Sequence, residues 1–250
     1  MGAAVANVGG MTRTRSSLTL ASLGTILSVW AHPDDETYLA GGLMALARDQ
    51  GQRVVCVSLT AGERGTPDPG AWPPSRLDAV RRWEAAAAMA VLGVTEHRIV
   101  GLPDGGLDRC DGEGVAVVGA LIDEVRPDTV LTFGPDGATF HPDHVAVHRW
   151  VTAAWESRGR PARLLYATAT TEHLARYGAA YEAWGAYMTD ARPVGVEEED
   201  LAIHAVFDGR HLDRKLTALR AMHTQTAPVA GLDPTTYRSQ VAEEAFLPAA

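Results

Sequence analysis

Two short segments carry most of the chemistry in this chain: Ala31-His32-Pro33-Asp34-Asp35-Glu36 and, much further along, His141-Pro142-Asp143-His144. Each follows an apolar run and sets metal-type ligands around a proline. A hydrolytic zinc site uses three protein ligands and leaves a fourth position for water. His32, Asp35 and His144 supply such a set, two imidazoles and one carboxylate. Pro33 stiffens the turn between His32 and Asp35. His141 and His144, three apart, share a face if a helix opens there. One can then bind the metal while the other reaches the substrate.

Asp34 neighbours a ligand without being needed as one, which suits a general base that takes a proton from a metal-activated water of pKa about 7. A protonated His141 is expected to stabilise the oxyanion, and His141 or Asp34 to protonate the leaving amine. Asp143 is expected to orient His141 and keep it charged. The reaction class is metal-assisted amide hydrolysis. A bland alternative exists for each segment, since His-Pro-Asp is also a common turn and Asp143 can cap a helix at Val145. Two such segments, each behind a strand pattern, favour the metal. Zn2+ is the expected ion, although Fe2+, Co2+ and Ni2+ suit the same donors.

The elements that must position these residues follow an alternating pattern. Strands are expected at Thr25–Ala31, Arg53–Leu59, His97–Leu102, Asp128–Phe133 and Arg163–Thr168, with a sixth at Leu201–Phe207. Helices are expected at Glu36–Asp49, Arg76–Leu92, Gly114–Val125, Asp143–Glu156, Thr171–Ala183 and Leu212–His223. Strands rich in Val, Ile and Leu alternating with helices predict an α/β fold, a Rossmann-like, doubly wound, mostly parallel sheet covered on both faces. In the order 3-2-1-4-5 the first and fourth strands are neighbours, and ligands bind beyond the carboxyl ends of strands at that reversal. His32–Glu36 follows the first strand and His141–His144 the fourth, so the two segments meet. The Gly65–Pro74 loop is expected at the mouth of the site.

With 250 residues, 46% of them hydrophobic, the chain suits one domain over 18–250 preceded by a flexible tail, 1–17. A net charge of −9 opposes a nucleic-acid footprint, and no apolar stretch approaches a membrane span. Nucleic acid and membrane are thus not expected partners. Leu18–Trp30 resembles a signal-peptide core, but it is diluted by Ser and Thr and runs into His32. The expected location is cytoplasmic. Cys56 and Cys110 read as unpaired thiols. His97, His148, His173, His204 and His211 are expected to pack or face solvent, as is the acidic run Glu197–Asp200.

The same residues closely resemble the LmbE-like, or PIG-L, family of zinc-dependent N-acetylglucosaminyl deacetylases. The resemblance runs from about Thr25 to Gln225. It comprises A-H-P-D-D-E, T-x-G-E at Thr60–Glu63, R-x-x-E at Arg81 and Glu84 before Leu92-Gly93, L-P-D-G-x-L at Leu102–Leu107, H-P-D-H, and K-x-x-A-L-x-x-x-H-x-Q from Lys215 to Gln225. It implies His32, Asp35 and His144 as zinc ligands, Asp34 as base and His141, with Asp143, as the electrophilic group. It further implies Glu63, Arg81 and Asp104 as residues lining a sugar pocket, and His223 as support for the site. The implied partner is a small N-acetylated amino sugar. A rival reading keeps the chemistry on another amide, such as a thiol conjugate. A second, a nucleotide-binding module, lacks both G-x-G-x-x-G and the P-loop pattern.

Overall fold

The computed structural model describes residues 11–16, 23–226 and 233–250. The elements are β1 (Met11–Ser16), β2 (Ile26–Trp30), α1 (Asp35–Asp49), β3 (Val54–Ser58), α2 (Pro74–Leu92), β4 (Glu96–Ile99), α3 (Asp111–Val125), β5 (Thr129–Phe133) and α4 (Pro142–Ser157). Then follow β6 (Arg163–Thr168), α5 (Thr171–Ala183), β7 (Ile203–Phe207), α6 (Gly209–Ala221), α7 (His223–Thr226), α8 (Pro234–Gln240) and β8 (Glu243–Pro248). All strands join one sheet in the order β1-β7-β8-β6-β5-β2-β3-β4.

The stretch β4-β3-β2-β5-β6 is parallel throughout. It is the order 3-2-1-4-5 expected from the strand pattern. Every residue of β2, β3 and β5 is buried, which is why these strands read as unbroken Val/Ile/Leu runs. Helices α1, α2 and α6 pack on one another, and α3 packs on α4. Right-handed crossovers on either side of the reversal put these two groups on opposite faces of the sheet. Trp30 and Phe133 meet edge to face across the reversal, centroids 4.9 Å apart.

Beyond β6 the sheet turns antiparallel through β8, β7 and β1. Two of these strands were not foreseen. Met11–Ser16, inside the segment expected to be a tail, forms an edge strand paired with β7. The strand Glu243–Pro248 hides behind a Glu-Glu pair whose charges are matched inside the protein. Glu244 is fully buried against Lys215 of α6, Oε1 to Nζ 2.7 Å. The pair reaches into α1: Lys215 Nζ donates to the Tyr38 carbonyl, and Glu244 accepts from the Gly42 and Leu43 amides. A buried pair this fully bonded ties α6 and β8 to the helix that begins at Asp35.

Candidate active site

The end of β2 delivers His32, and a sharp turn delivers Asp34 and Asp35. Asp34 has φ +107°, a region where only Gly, and to a lesser degree Asn and Asp, are common. The Asp35 carboxylate accepts the His32 amide, 2.8 Å, and so closes the turn. Glu36, which sequence reasoning left without a role, is fully buried and accepts the Asp34 amide and the Thr37 hydroxyl. It therefore braces the strained residue from below.

The loop after β5 delivers the second segment. Gly137 has φ +63°, and a Cβ there would lie 2.6 Å from Cβ of His144, so glycine is required for the loop to close over α4. His144 Nδ1 lies 2.9 Å from the Gly137 carbonyl, and its ring stacks on Phe133 at 4.2 Å. With Nδ1–H donating to that carbonyl, Nε2 is left as a lone-pair donor facing His32 and Asp35. Burial first, and then the neighbouring imidazoles, push His144 down to about 4.

The sequence placed these segments side by side, and the structure brings them within contact. His32 Nδ1 is 3.1 Å from His144 Nε2 and 3.5 Å from Asp35 Oδ2, while His144 Nε2 is 3.3 Å from Asp35 Oδ1. Ligand atoms held about 2.0–2.1 Å from a tetrahedral ion lie about 3.3 Å from one another. The separations are of that size, with Asp35 facing His32 through Oδ2 and His144 through Oδ1. His141 also brings a ring nitrogen within 4.8 Å of both other imidazoles, and its exposure leaves it open to the cavity.

The other edge of the His32 ring meets carboxylates. Its Nε2 is 3.1 Å from Asp104 Oδ1 and 3.3 Å from Asp143 Oδ2. Nε2–H donating there fixes the tautomer that leaves Nδ1 free to bind a cation. This corrects two expectations. Asp143 holds His141 through its backbone amide and not through its carboxylate, which takes His32 and the amides of Gly105 and Leu107, at 2.7 and 3.0 Å. Nor does it cap α4, because His141 is the capping residue, its Nδ1 accepting the Asp143 amide at 3.1 Å. That hydrogen bond keeps Nδ1 unprotonated, and burial with the charge of His32 lowers the pKa of His141. Both contacts work against the protonated His141 expected from the sequence.

Asp104 likewise sits beside His32, not out among ligand-facing groups alone. Its other oxygen accepts the Arg64 amide, and its own amide donates to Glu63 Oε1 at 3.0 Å. Glu63 is thus a brace between two loops and does not line the cavity. Arg81 does line it. Its buried guanidinium is slotted against Gly62 and Gly65, where a Cβ on Gly62 would come within 1.7 Å of Nη1. Of the C-terminal motif, His223 is exposed; Thr224 instead donates to Glu84, and Gln225 lines the cavity.

Charges in this cluster are finely opposed. Burial works against a charge on His32, yet hydrogen bonds to Asp104, Asp143 and Asp35 raise its pKa well above the usual range. Burial and the charge of Asp35 push Asp34 up to about 7, with Arg81 and His32 pulling the other way. Burial and the neighbouring aspartates push Glu36 up to about 8. Asp104 is held down to about 2 despite burial, by His32 and the Arg64 amide.

These directions set a stability test for the metal-free protein. A group whose pKa is raised on folding stabilises while protonated and loses that contribution as pH rises through its folded value. For Asp34 and Glu36 the loss starts above their ordinary values, 3.8 and 4.5, and ends near 7 and 8. For His32 it starts above 6.5, where the opposite contribution of His144, held at about 4, is already complete. Chelated protein should therefore melt at a lower temperature at pH 8 than at pH 6.5. An increase over that interval would contradict the placement of these groups.

A cavity of about 510 Å³ opens over this cluster, bounded on one side by His32, Asp34 and Arg81 and on the other by residues of α5 and the loop after it. At the reversal point of this α/β sheet a His/Asp donor set, a strained carboxylate and an open cavity thus lie together, an arrangement that can hold a cation beside a substrate.

The family can now be stated. The model for the PIG-L family, described as GlcNAc-PI de-N-acetylase, matches residues 27–155, and the chain belongs to this family of deacetylases. A 1D-myo-inositol 2-acetamido-2-deoxy-alpha-D-glucopyranoside deacetylase of Mycolicibacterium vanbaalenii is 35% identical over 231 residues, covering 81% of each chain. One of the same name from Saccharomonospora viridis is 36% identical over 174 residues, 60% of this chain and 65% of that protein. The solved N,N'-diacetylchitobiose deacetylase of Pyrococcus horikoshii shares the fold, with TM-score 0.64 at 20% identity over 91% of this chain and 84% of that one.

Proposed function

We propose that the protein removes the acetyl group from an N-acetylglucosaminyl unit of a small molecule, releasing acetate and a free amine. The observation that carries this reading is the meeting of His32, Asp35 and His144, whose nitrogens and carboxylate oxygens approach one another to 3.1–3.5 Å, with the carboxylate of Asp34 beside them. Family membership and the names of the relatives support the choice of an acetylated amino sugar.

These three would hold a divalent cation, taken as Zn2+, which would supply Lewis acidity and lower the pKa of a water to about 7. Asp34, half-buried and raised towards neutrality, takes the proton from the attacking water and passes it to the leaving nitrogen. His141, a neutral imidazole whose Nδ1 is occupied by the Asp143 amide, offers Nε2–H to the carbonyl oxygen as charge develops there. Arg81 lies near enough to Asp34 to favour its ionised form. Asp104 and Asp143 hold His32 in the metal-binding tautomer. A cytoplasmic setting suits the two free cysteines, and among the described residues no helix is long and apolar enough to cross a membrane.

The test is release of acetate from free GlcNAc, GlcNAc-inositol, chitobiose and GlcNAc-bearing glycopeptides by metal-loaded protein. Activity on none of them, with cleavage of a larger acyl group from a thiol conjugate, would favour the rival amide. A smaller effect is expected from Asp104→Asn, which leaves the ligand triangle whole but weakens the hold on His32. Its metal affinity should fall by about 10–100-fold, read by competition with a chelator. Unchanged affinity would make Asp104 a pocket residue only.

A further inference from the structure

Helix α1 departs from an ordinary helix about two turns past its start. In an uninterrupted α-helix the Gly42 amide donates to the Tyr38 carbonyl and the Leu43 amide to the Leu39 carbonyl. Here both amides donate to the Glu244 carboxylate, at 2.7 and 2.9 Å, and the Tyr38 carbonyl accepts from Lys215 Nζ at 2.7 Å. Lys215 and Glu244 are themselves paired at 2.7 Å, with both side chains fully buried. The ion pair thus enters the hydrogen-bond ladder of α1, an insertion of the kind that bends helices. Two adjacent glycines, Gly41 and Gly42, weaken the helix at the same place. Gly42 also admits the ring of Phe207, whose Cδ2 would lie 2.4 Å from a Cβ there.

Stability alone is a poor reason for such a pair, because exchange of a buried ion pair for apolar side chains of similar volume is often neutral or stabilising. The residue type is also selected. Lys215 is the only lysine in a chain that otherwise uses arginine, and a compact ammonium can serve a main-chain carbonyl and a carboxylate oxygen that converge on one point. What the pair controls lies one turn towards the N-terminus. The carbonyl held by Lys215 belongs to Tyr38, and the Tyr38 amide donates to the Asp34 carbonyl at 2.9 Å. Asp34 and Asp35 are the residues at which α1 begins. An anchored Tyr38 therefore sets the direction of the first turn relative to the body of α1, and with it the aim of both carboxylates.

We infer that Lys215 and Glu244 are positioning residues: inserted into the α1 ladder, they aim Asp34 and Asp35 at the candidate cation site, and they serve that aim rather than stability. The inference rests on the deacetylase reading for what the aimed groups do.

The double variant Lys215→Met/Glu244→Leu removes both charges together and lets the Gly42 and Leu43 amides return to the carbonyls of Tyr38 and Leu39. It should melt at or above the wild-type temperature. In competition with a chelator it should bind Zn2+ about 10–100-fold more weakly, the usual loss when a ligand is no longer oriented. Saturated with Zn2+, it should release acetate from the amino sugars named above with kcat lower by about 10²-fold, the cost of misplacing a reacting group by about an ångström. Glu244→Leu alone should melt well below both, because it strands the lysine charge. Should the double variant fail to fold, Lys215→Met, which leaves Glu244 held by two amides, takes its place and should also bind Zn2+ more weakly. Wild-type Zn2+ affinity and kcat in the folded variant would overturn the inference and leave the pair a structural staple. If the wild type binds Zn2+ but releases acetate from none of these sugars, the deacetylase reading fails, and the comparison of affinities alone decides the role of the pair.

Discussion

Asp34→Asn is expected to lower kcat/KM by about 10²–10⁴-fold, the usual worth of a positioned general base, while metal content stays at the wild-type level. Asparagine is the informative replacement because Asp34 sits at φ +107°, and asparagine tolerates positive φ better than alanine does. The variant therefore keeps the turn and loses only the ability to take a proton. Because Asp34 is pushed up to about 7 in the metal-free protein, and a base works only when ionised, wild-type activity should rise with pH across an acid limb. A bound cation moves that limb below 7. Loss of metal in the asparagine variant would instead make Asp34 a ligand, and retention of most activity would remove it from the chemistry.

His144→Ala should abolish both metal binding and turnover. The substitution leaves a triangle with two corners, and the remaining pair, His32 and Asp35, no longer encloses an ion. The loss of affinity should exceed the roughly 10–100-fold attached to residues that merely orient a ligand, so the ion should not survive dialysis. Because His144 also stacks on Phe133 and accepts the close approach of Gly137, folding must be checked separately. His144→Gln, which keeps bulk and a hydrogen-bonding end, provides that check. A full complement of metal in either variant, with kcat near wild type, would remove His144 from the donor set.

Much of this arrangement was legible beforehand, for a simple reason. Parallel strands buried on both faces must be uniformly apolar, so β2, β3 and β5 stand out, and handedness rules narrow their order. Once β2 and β5 are neighbours, the residues just beyond them must meet. The antiparallel extension was harder to see. β8 opens on two glutamates, which reads as solvent until Lys215, His173 and His204 are brought to them from distant parts of the chain.

The roles around the cluster were less legible than its membership. Asp143 lies two residues from His141, and sequence proximity suggested that one orients the other. In the folded chain the carboxylate turns to His32, more than a hundred positions away, because the loop Gly105–Leu107 offers it two amides. Asp104 is drawn into the same brace.

The sequence by itself thus determined which residues carry the chemistry and which strands deliver them, since residue type and hydrophobic pattern are local properties. Only the tertiary structure decided which nitrogen of His32 faces His144 and Asp35, which groups hold His141, and that Glu63 braces two loops. Tautomer, protonation and hydrogen bonding are set by partners that approach through space, and chain order holds no record of those approaches.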